Sequence, residues 1–232
     1  LLAVCWLYLC SASGCQPRLN EQLGLILFSL LLTPAVLTPV FDIVYPVTSY
    51  EHHEAFTLAM RYGGLAVVPL MIVVLLAWRR RQPLQEGQQP LRAALYSSLL
   101  LFTVGGVLGF LIEGKNVVIP AHYHGSIVGV TLAFMGISYD LLPRLGFGQP
   151  LRRVATWQPY VYGAGQLLHI LGLAWSGGYG VQRKTAGAAQ GLERIEQIAG
   201  MAIMGLGGLI AIIGGLLFVI VAIHSIVNRQ RQ

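Results

Sequence analysis

The chain has 232 residues, of which 55% are hydrophobic and only 10% charged, and its mean hydropathy is +0.67. This is more apolar than one soluble core requires, so the composition excludes a soluble domain and indicates an integral membrane protein. The formal charge of +6 does not indicate a nucleic-acid partner, because Lys and Arg in a membrane protein usually mark its cytoplasmic loops.

Residues 1–19 predict a short apolar helix that precedes the full spans. All three cysteines, Cys5, Cys10 and Cys15, lie here, which indicates neither a disulfide framework nor a paired-cysteine metal site. The stretch 12–15 (Ala-Ser-Gly-Cys) looks like a lipoprotein processing site. A lipidated Cys15 would invert every later loop against the charge pattern, so we interpret this stretch as a helix end.

Residues 20–232 contain six further stretches of about 20 apolar residues, the length that crosses a ~30 Å bilayer core. We therefore predict an all-α fold, a polytopic transmembrane helix bundle that forms a single domain over residues 1–232. The six predicted spans are Leu23 to Tyr45, Ala55 to Trp78, Leu91 to Ile112, Val117 to Leu142, Ala155 to Trp175 and Ile198 to Val227.

Positive charges occupy alternate loops. They are Arg79, Arg80 and Arg81 after the second span, Arg144, Arg152 and Arg153 after the fourth, and Arg229 and Arg231 after the sixth. By the positive-inside rule these loops and the C-terminus are cytoplasmic, which fits a bacterial inner membrane. The loops 46–54, 113–120 and 177–197 then face outward.

The first span carries Pro34, Pro39 and Asp42, which predicts a kink near a packed or polar site. The outer loop that follows contains the adjacent pair His52 and His53, flanked by glutamates. Imidazole suits copper, zinc and iron, so the pair is a candidate metal site. The alternative is a wet surface loop whose histidines bind nothing.

His122, Tyr123 and His124 begin the fourth span. A helix turns about 100° per residue, so the two imidazoles should point to opposite sides of one helix. Ionisable groups inside a span are costly enough to be functional candidates, and imidazole is a ligand of haem iron. One helix could thus serve two prosthetic groups. The alternative is a pair of interfacial histidines.

Glycines recur at small-xxx-small spacing in the third, fourth and sixth spans, including Gly105 with Gly109 and Gly125 with Gly129. We predict that they allow close helix packing, although such spacing also suits the approach of a flat cofactor. His169 in the fifth span is either a ligand or a hydrogen-bonded interior group. Arg183 and Lys184 break the charge trend of the outer loops and are candidates to meet a local anion.

Three stretches between Leu99 and the last span occur in an order that is known from one family. They are 102–109 followed by 119–124 (Ile-Pro-Ala-His-Tyr-His), 139–143 (Tyr-Asp-Leu-Leu-Pro), and 169–173 (His-Ile-Leu-Gly-Leu) with Arg183 and Lys184 beyond. They resemble the ninth helix and tenth-helix A-H-x-H motif, the end of the tenth helix, and the eleventh helix with its basic pair in subunit I of the haem-copper oxidases.

The resemblance implies a role for each of these residues. His122 would bind the iron of a high-spin haem and His124 that of a low-spin haem, while Arg183 and Lys184 would contact haem propionates. His52 and His53 would correspond to two of the family's three copper ligands. The family's remaining axial histidine and third copper ligand come from earlier helices, so the resemblance implies that other membrane subunits supply them.

The resemblance predicts the split C-terminal half of an oxidase catalytic subunit, which reduces O₂, or alternatively NO, with electrons from an external donor such as cytochrome c or quinol. An alternative is a non-catalytic membrane subunit descended from such an oxidase, with one haem or none. A third possibility, a quinone-linked cytochrome b, needs histidines at matched depth on two helices. Only His122 or His124 together with His169 offers this, and we expect their depths to differ.

Overall fold

The computed structural model describes residues 1–185 and 187–229, and its regular structure there is helical. Arg231, which the charge pattern assigns to a cytoplasmic segment, lies outside the described residues. The helices are α1 (Leu2–Ala12), α2 (Glu21–Val44), α3 (Tyr50–Gly63), α4 (Val68–Trp78), α5 (Gln89–Phe110), α6 (Val118–Arg144), α7 (Arg152–Gly178) and α8 (Ile195–Val227), with 3₁₀ turns at Gly64–Val67 and Gly187–Gln190.

Five segments of the described chain are long and apolar enough to cross a membrane. They are α2, α5, α6, α8 and the segment Tyr50–Trp78, which consists of α3, the following 3₁₀ turn and α4. The all-helical fold is confirmed, and the five apolar segments are consistent with a helical membrane bundle. Helix α7, the predicted fifth span, has 27 residues but carries Gln158, Gln166 and His169. It packs against α5, α6 and α8, and such packing can shield polar groups from lipid. The count of six spans stays a prediction.

The helices form two compact units. The five-helix unit comprises residues 1–14 and those from Gln82 onward, which contain α1 and α5 to α8. The three-helix unit is Cys15–Arg81, which contains α2 to α4. The predicted N-terminal segment, residues 1–19, is therefore divided between the two units: α1 belongs to the five-helix unit, and Cys15 belongs to the three-helix unit. The single transmembrane domain that the sequence predicts stays a prediction.

Helix α1 is anchored by a buried tryptophan. The Trp6 ring is fully buried, and its Nε1 donates a hydrogen bond to Ser98 Oγ at 2.8 Å. The Ser98 hydroxyl in turn donates to the Gly129 carbonyl at 2.6 Å, so one polar chain joins α1, α5 and α6. Tyr8 also hydrogen-bonds to Asp140 of α6. These contacts agree with a structural helix at this position.

Glycines bring two pairs of helices into backbone contact, as their spacing predicts. A Cβ atom on Gly105 of α5 would lie 2.5 Å from the backbone nitrogen of Ser126 in α6. Between α7 and α8, a Cβ on Gly165 would lie 2.4 Å from the nitrogen of Ala211, and one on Gly172 would lie 2.4 Å from that of Met204. Only a residue without a side chain allows such approach.

The five-helix unit has a basic end and a histidine end. At the basic end, Gly148 in the α6–α7 loop donates from its backbone nitrogen to the Ser225 carbonyl of α8 at 2.8 Å, and Arg229 lies over the Phe147 ring. At the other end, the nitrogen of Val117 donates to the carbonyl of Val181 at 3.0 Å. The alternating charge pattern is therefore reproduced within this unit, and its cytoplasmic orientation stays a prediction.

Because α7 and α8 pack in backbone contact, adding one methyl group at their interface should strongly destabilise the fold. In Gly207→Ala the new Cβ would lie 2.3 Å from the backbone nitrogen of His169, closer than any real contact. We expect the overpacking to lower the free energy of unfolding by about 1–3 kcal/mol, measured by thermal or detergent denaturation followed by circular dichroism.

Gly205→Ala, on the same helix, is the matched control for this variant. A Cβ at Gly205 meets nothing within 4 Å, and alanine is the better helix former. The control should therefore be neutral or stabilising. Equal effects of the two substitutions would contradict the close approach of α7 and α8.

Candidate functional site

His122 lies between α6 and α5 and is held by a backbone carbonyl. Its Nδ1 atom is 2.7 Å from the carbonyl oxygen of Gly105. Since a carbonyl only accepts, Nδ1 must carry the proton, and Nε2 then has a free lone pair. Histidines that bind metals usually donate their other ring nitrogen to such a group. His122 therefore fits a metal-ligand role.

Gly109 makes room for this imidazole. A Cβ atom on Gly109 would lie 2.7 Å from His122 Nδ1, so any side chain there would displace the ring. The two glycines of α5 consequently act differently. Gly105 allows backbone contact and offers the accepting carbonyl, whereas Gly109 leaves the space that the ring occupies.

His124 points away from His122, as the helical spacing predicts. Its side chain is exposed on the five-helix unit, and its ring centroid lies 5.1 Å from that of His169 in α7, with the ring planes at 67°. His169 Nδ1 is 3.0 Å from the Met204 carbonyl of α8, so His169 also donates to the backbone and keeps Nε2 available. Two imidazoles from neighbouring helices thus meet at one place.

The matched depth of His124 and His169 corrects our expectation that they differ. The chain turns back after α7: the Val181 nitrogen donates to the Ser176 carbonyl at 3.1 Å, next to Gly180 with φ +84°. This is the hydrogen bond of a Schellman-type helix end. It places Val181 at the level of Ser176, and Val181 also pairs with Val117. His169 lies seven residues before Ser176 and His124 lies seven residues after Val117, so the two rings lie at the same depth.

The same geometry excludes a haem held between His124 and His169. Their rings are in direct edge-to-face contact, which leaves no space for a macrocycle between the two nitrogens that would bind iron. The two histidines therefore lie at the same depth, as a cytochrome b would require, but their rings are too close together to bind a haem between them. A haem bound by His124 would have to lie on the exposed side of the ring.

Arg183 and Lys184 lie at the histidine end. The preceding residue, Gln182, forms an antiparallel bridge with Asn116, just before α6. Arg183 is half-buried and Lys184 is exposed, and neither forms an ion pair with any residue that the structure describes. Two unpaired cations are therefore available to an anionic group at the end of the unit where His122 and His124 lie.

His52 and His53 lie in the first turn of α3, in the three-helix unit. His52 Nε2 is 2.8 Å from the Asp42 carboxylate, while the exposed His53 ring has its centroid 6.1 Å away at an interplanar angle of 86°. Consecutive helical side chains diverge by about 100°. Copper binding by both rings stays a prediction, and for His52 it would use Nδ1, because Asp42 engages Nε2.

No group of three or more His, Cys, Asp or Glu side chains in the described ranges is arranged to hold a metal ion. The sequence patterns did not predict two side-chain pairings at these sites, His52 with Asp42 and His124 with His169. The sequence places Asp42 only in a span with a predicted kink. The pairing of His169 with His124 depends on the turn at Gly180, and that glycine is the residue from which the turn could have been predicted.

No protein-family model matches the chain. It is 44% identical over 140 residues to an uncharacterized protein of Rickettsia prowazekii, a match that covers 56% of this chain and 27% of that protein. It is 28% identical over 75 residues to an uncharacterized protein of Aquifex aeolicus, covering 32% of this chain and 19% of that protein. The matches thus span about a quarter or less of these relatives.

The carbonyl contacts predict the tautomers of two histidines. We expect the neutral rings of both His122 and His169 to carry the proton on Nδ1, with Nε2 unprotonated. Nuclear magnetic resonance of the protein with ¹⁵N-labelled histidine distinguishes the two nitrogens, and His122→Gln and His169→Gln assign the signals. A proton on Nε2 of the neutral His122 ring would show that the bond to Gly105 does not form.

Proposed function

We propose that this chain is a haem-binding membrane subunit of a respiratory complex similar to the haem-copper oxidases, equivalent to the C-terminal half of the catalytic subunit. The observation that carries the proposal is the arrangement on α6. His122 and His124 project from opposite sides of one helix, and the Gly105 carbonyl holds His122 in the tautomer that leaves Nε2 free to bind a metal.

Each residue has a defined task in this proposal. His122 binds the iron of the high-spin haem, and the Gly105 carbonyl fixes its orientation and increases its basicity. His124 binds the low-spin haem on its exposed side, while Arg183 and Lys184 neutralise propionates at the same end of the unit. Haem iron, when bound, supplies the redox chemistry with O₂. The protein contributes ligation, orientation and charge.

The remaining ligands come from outside this sequence. The resemblance implies that a second histidine would hold the low-spin haem together with His124, and His169 cannot serve because its ring touches that of His124. Most of the Rickettsia relative, which itself carries no assigned activity, lies beyond the matched stretch. We propose that other membrane subunits complete the site, with cytochrome c or quinol as donor, in the bacterial inner membrane with the C-terminus cytoplasmic.

The alternative is a non-catalytic membrane subunit of such a complex with one haem or none. The observation that favours it is the divergence of the His52 and His53 rings, whose centroids lie 6.1 Å apart at an interplanar angle of 86°, so the two rings do not converge on one copper position. This alternative predicts no rapid reaction of the reduced protein with CO or O₂.

Haem content of the purified complex tests the proposal. The pyridine haemochrome assay should give two haems per complex for the unaltered protein and one for each of His122→Ala and His124→Ala, because each substitution removes one axial ligand. His224→Ala, at the basic end of α8, is the control and should retain both. A complex without haem would overturn the proposal, and one haem without CO reactivity would favour the alternative.

The two outer cations should raise the reduction potential of the nearby haem. Removing a positive charge favours the ferric form, which carries one more positive charge, so Arg183→Gln should lower the midpoint potential by tens of millivolts in a spectroelectrochemical titration. Arg153→Gln, at the opposite end of the five-helix unit, should leave it unchanged. Equal shifts in the two variants would argue against propionate contact by Arg183.

A further inference from the structure

The three-helix unit contains an apolar groove of about 650 Å³ between α2 and the segment that follows it. This volume is within the range of sites that bind small organic molecules. The groove is lined mainly by aliphatic and aromatic side chains, among them Leu30, Pro34, Leu37 and Phe41 of α2 and Leu58 and Tyr62 of α3. From Leu30 to Phe41 it follows α2 for about 16 Å.

A polar pair lies next to one end of the groove, outside its lining. Phe41 lines the groove and is followed directly by Asp42, while His52 lies one helical turn before the lining residue Ala55. The Asp42 carboxylate is 2.8 Å from His52 Nε2. Phe56 joins the two regions, since its ring packs against those of Phe41 and His52 with centroids at 5.7 and 4.7 Å.

Both members of this pair have unused hydrogen-bonding capacity. The His52 residue is 9% exposed, and its Nδ1 atom is buried without a hydrogen-bond partner among the described residues. Because this atom has no accessible surface, His52 can act on a ligand only through Asp42, which its Nε2 contacts. Asp42 is 57% exposed and has a second carboxylate oxygen that can accept from a ligand hydroxyl.

We propose that this groove binds an isoprenoid quinol, with the tail along α2 and the head group at the exposed carboxylate of Asp42, which His52 positions. A quinol combines a long apolar tail, an aromatic ring suited to Phe41 and Phe56, and hydroxyl groups that donate to acceptors. The polar end also carries the exposed carboxylates of Glu51 and Glu54, so the local charge favours a neutral head group and opposes an anionic phospholipid.

The binding claim does not depend on haem. It assigns the donor class for the proposed oxidase function, and it gives His52 a role other than copper ligation. If the chain binds quinol but contains no haem, the proposed function fails and this inference stands. If it binds haem but no quinol, the reverse holds.

Equilibrium binding of ubiquinol-2 to the full chain in lipid nanodiscs tests the proposal, with dithionite to keep the ligand reduced. Ala59→Phe fills the groove, since Ala59 lines it, and should weaken binding at least tenfold. Ala35→Phe, on an exposed position of α2 outside the lining, is the matched control and should bind as the unaltered chain does. Asp42→Asn should weaken binding about tenfold, and Glu51→Gln less than twofold.

Circular dichroism and gel filtration of every variant establish that it is folded. If Ala59→Phe does not fold, photo-crosslinking of the unaltered chain with an azido-ubiquinol replaces it, and the label should map to residues 30–66. Labelling confined to other residues, absence of saturable binding, or equal competition by phosphatidylethanolamine would each overturn the quinol assignment, the last in favour of a lipid acyl chain.

Discussion

The hydrogen bond between His122 Nδ1 and the Gly105 carbonyl requires α5 and α6 to approach until their backbones touch. Glycine at positions 105 and 125 permits that approach, and glycine at position 109 leaves space for the ring. The carbonyl is free to accept this second bond because it has two lone pairs. Helix packing, ring orientation and tautomer are therefore consequences of one local arrangement, and the availability of Nε2 follows from it.

The five-helix unit carries its candidate ligands and its arginine-rich segments at opposite ends. The histidines and the cations Arg183 and Lys184 lie at one end, while the arginines at 144, 152, 153 and 229 lie at the other. A membrane protein with this polarity can hold an anionic cofactor at one surface and remain oriented by the opposite surface. The three-helix unit has its own polar site, the pair of Asp42 and His52, which lies next to one end of an apolar groove.

Much of this could be predicted from residue patterns. Hydropathy identified most helices within a few residues, although it predicted α3 and α4 as one span. The two-residue spacing predicted the opposite faces of His122 and His124, and the small-residue spacing predicted the packed helix pairs. The patterns could not supply partners that depend on how helices end and pack. The turn at Gly180 sets the depth of His169, and the pairing of Asp42 with His52 requires α2 and α3 to pack antiparallel through Phe41 and Phe56. Side chains distant in sequence meet only after those geometries exist.

An experimental density map of the complex extracted from its native membrane tests the central claim most directly. The claim predicts a planar macrocycle with its iron bonded to Nε2 of His122, while Nδ1 remains at hydrogen-bonding distance from the Gly105 carbonyl. A well-resolved map in which Nε2 of His122 contacts protein or lipid, with no macrocycle beside α6, would contradict it.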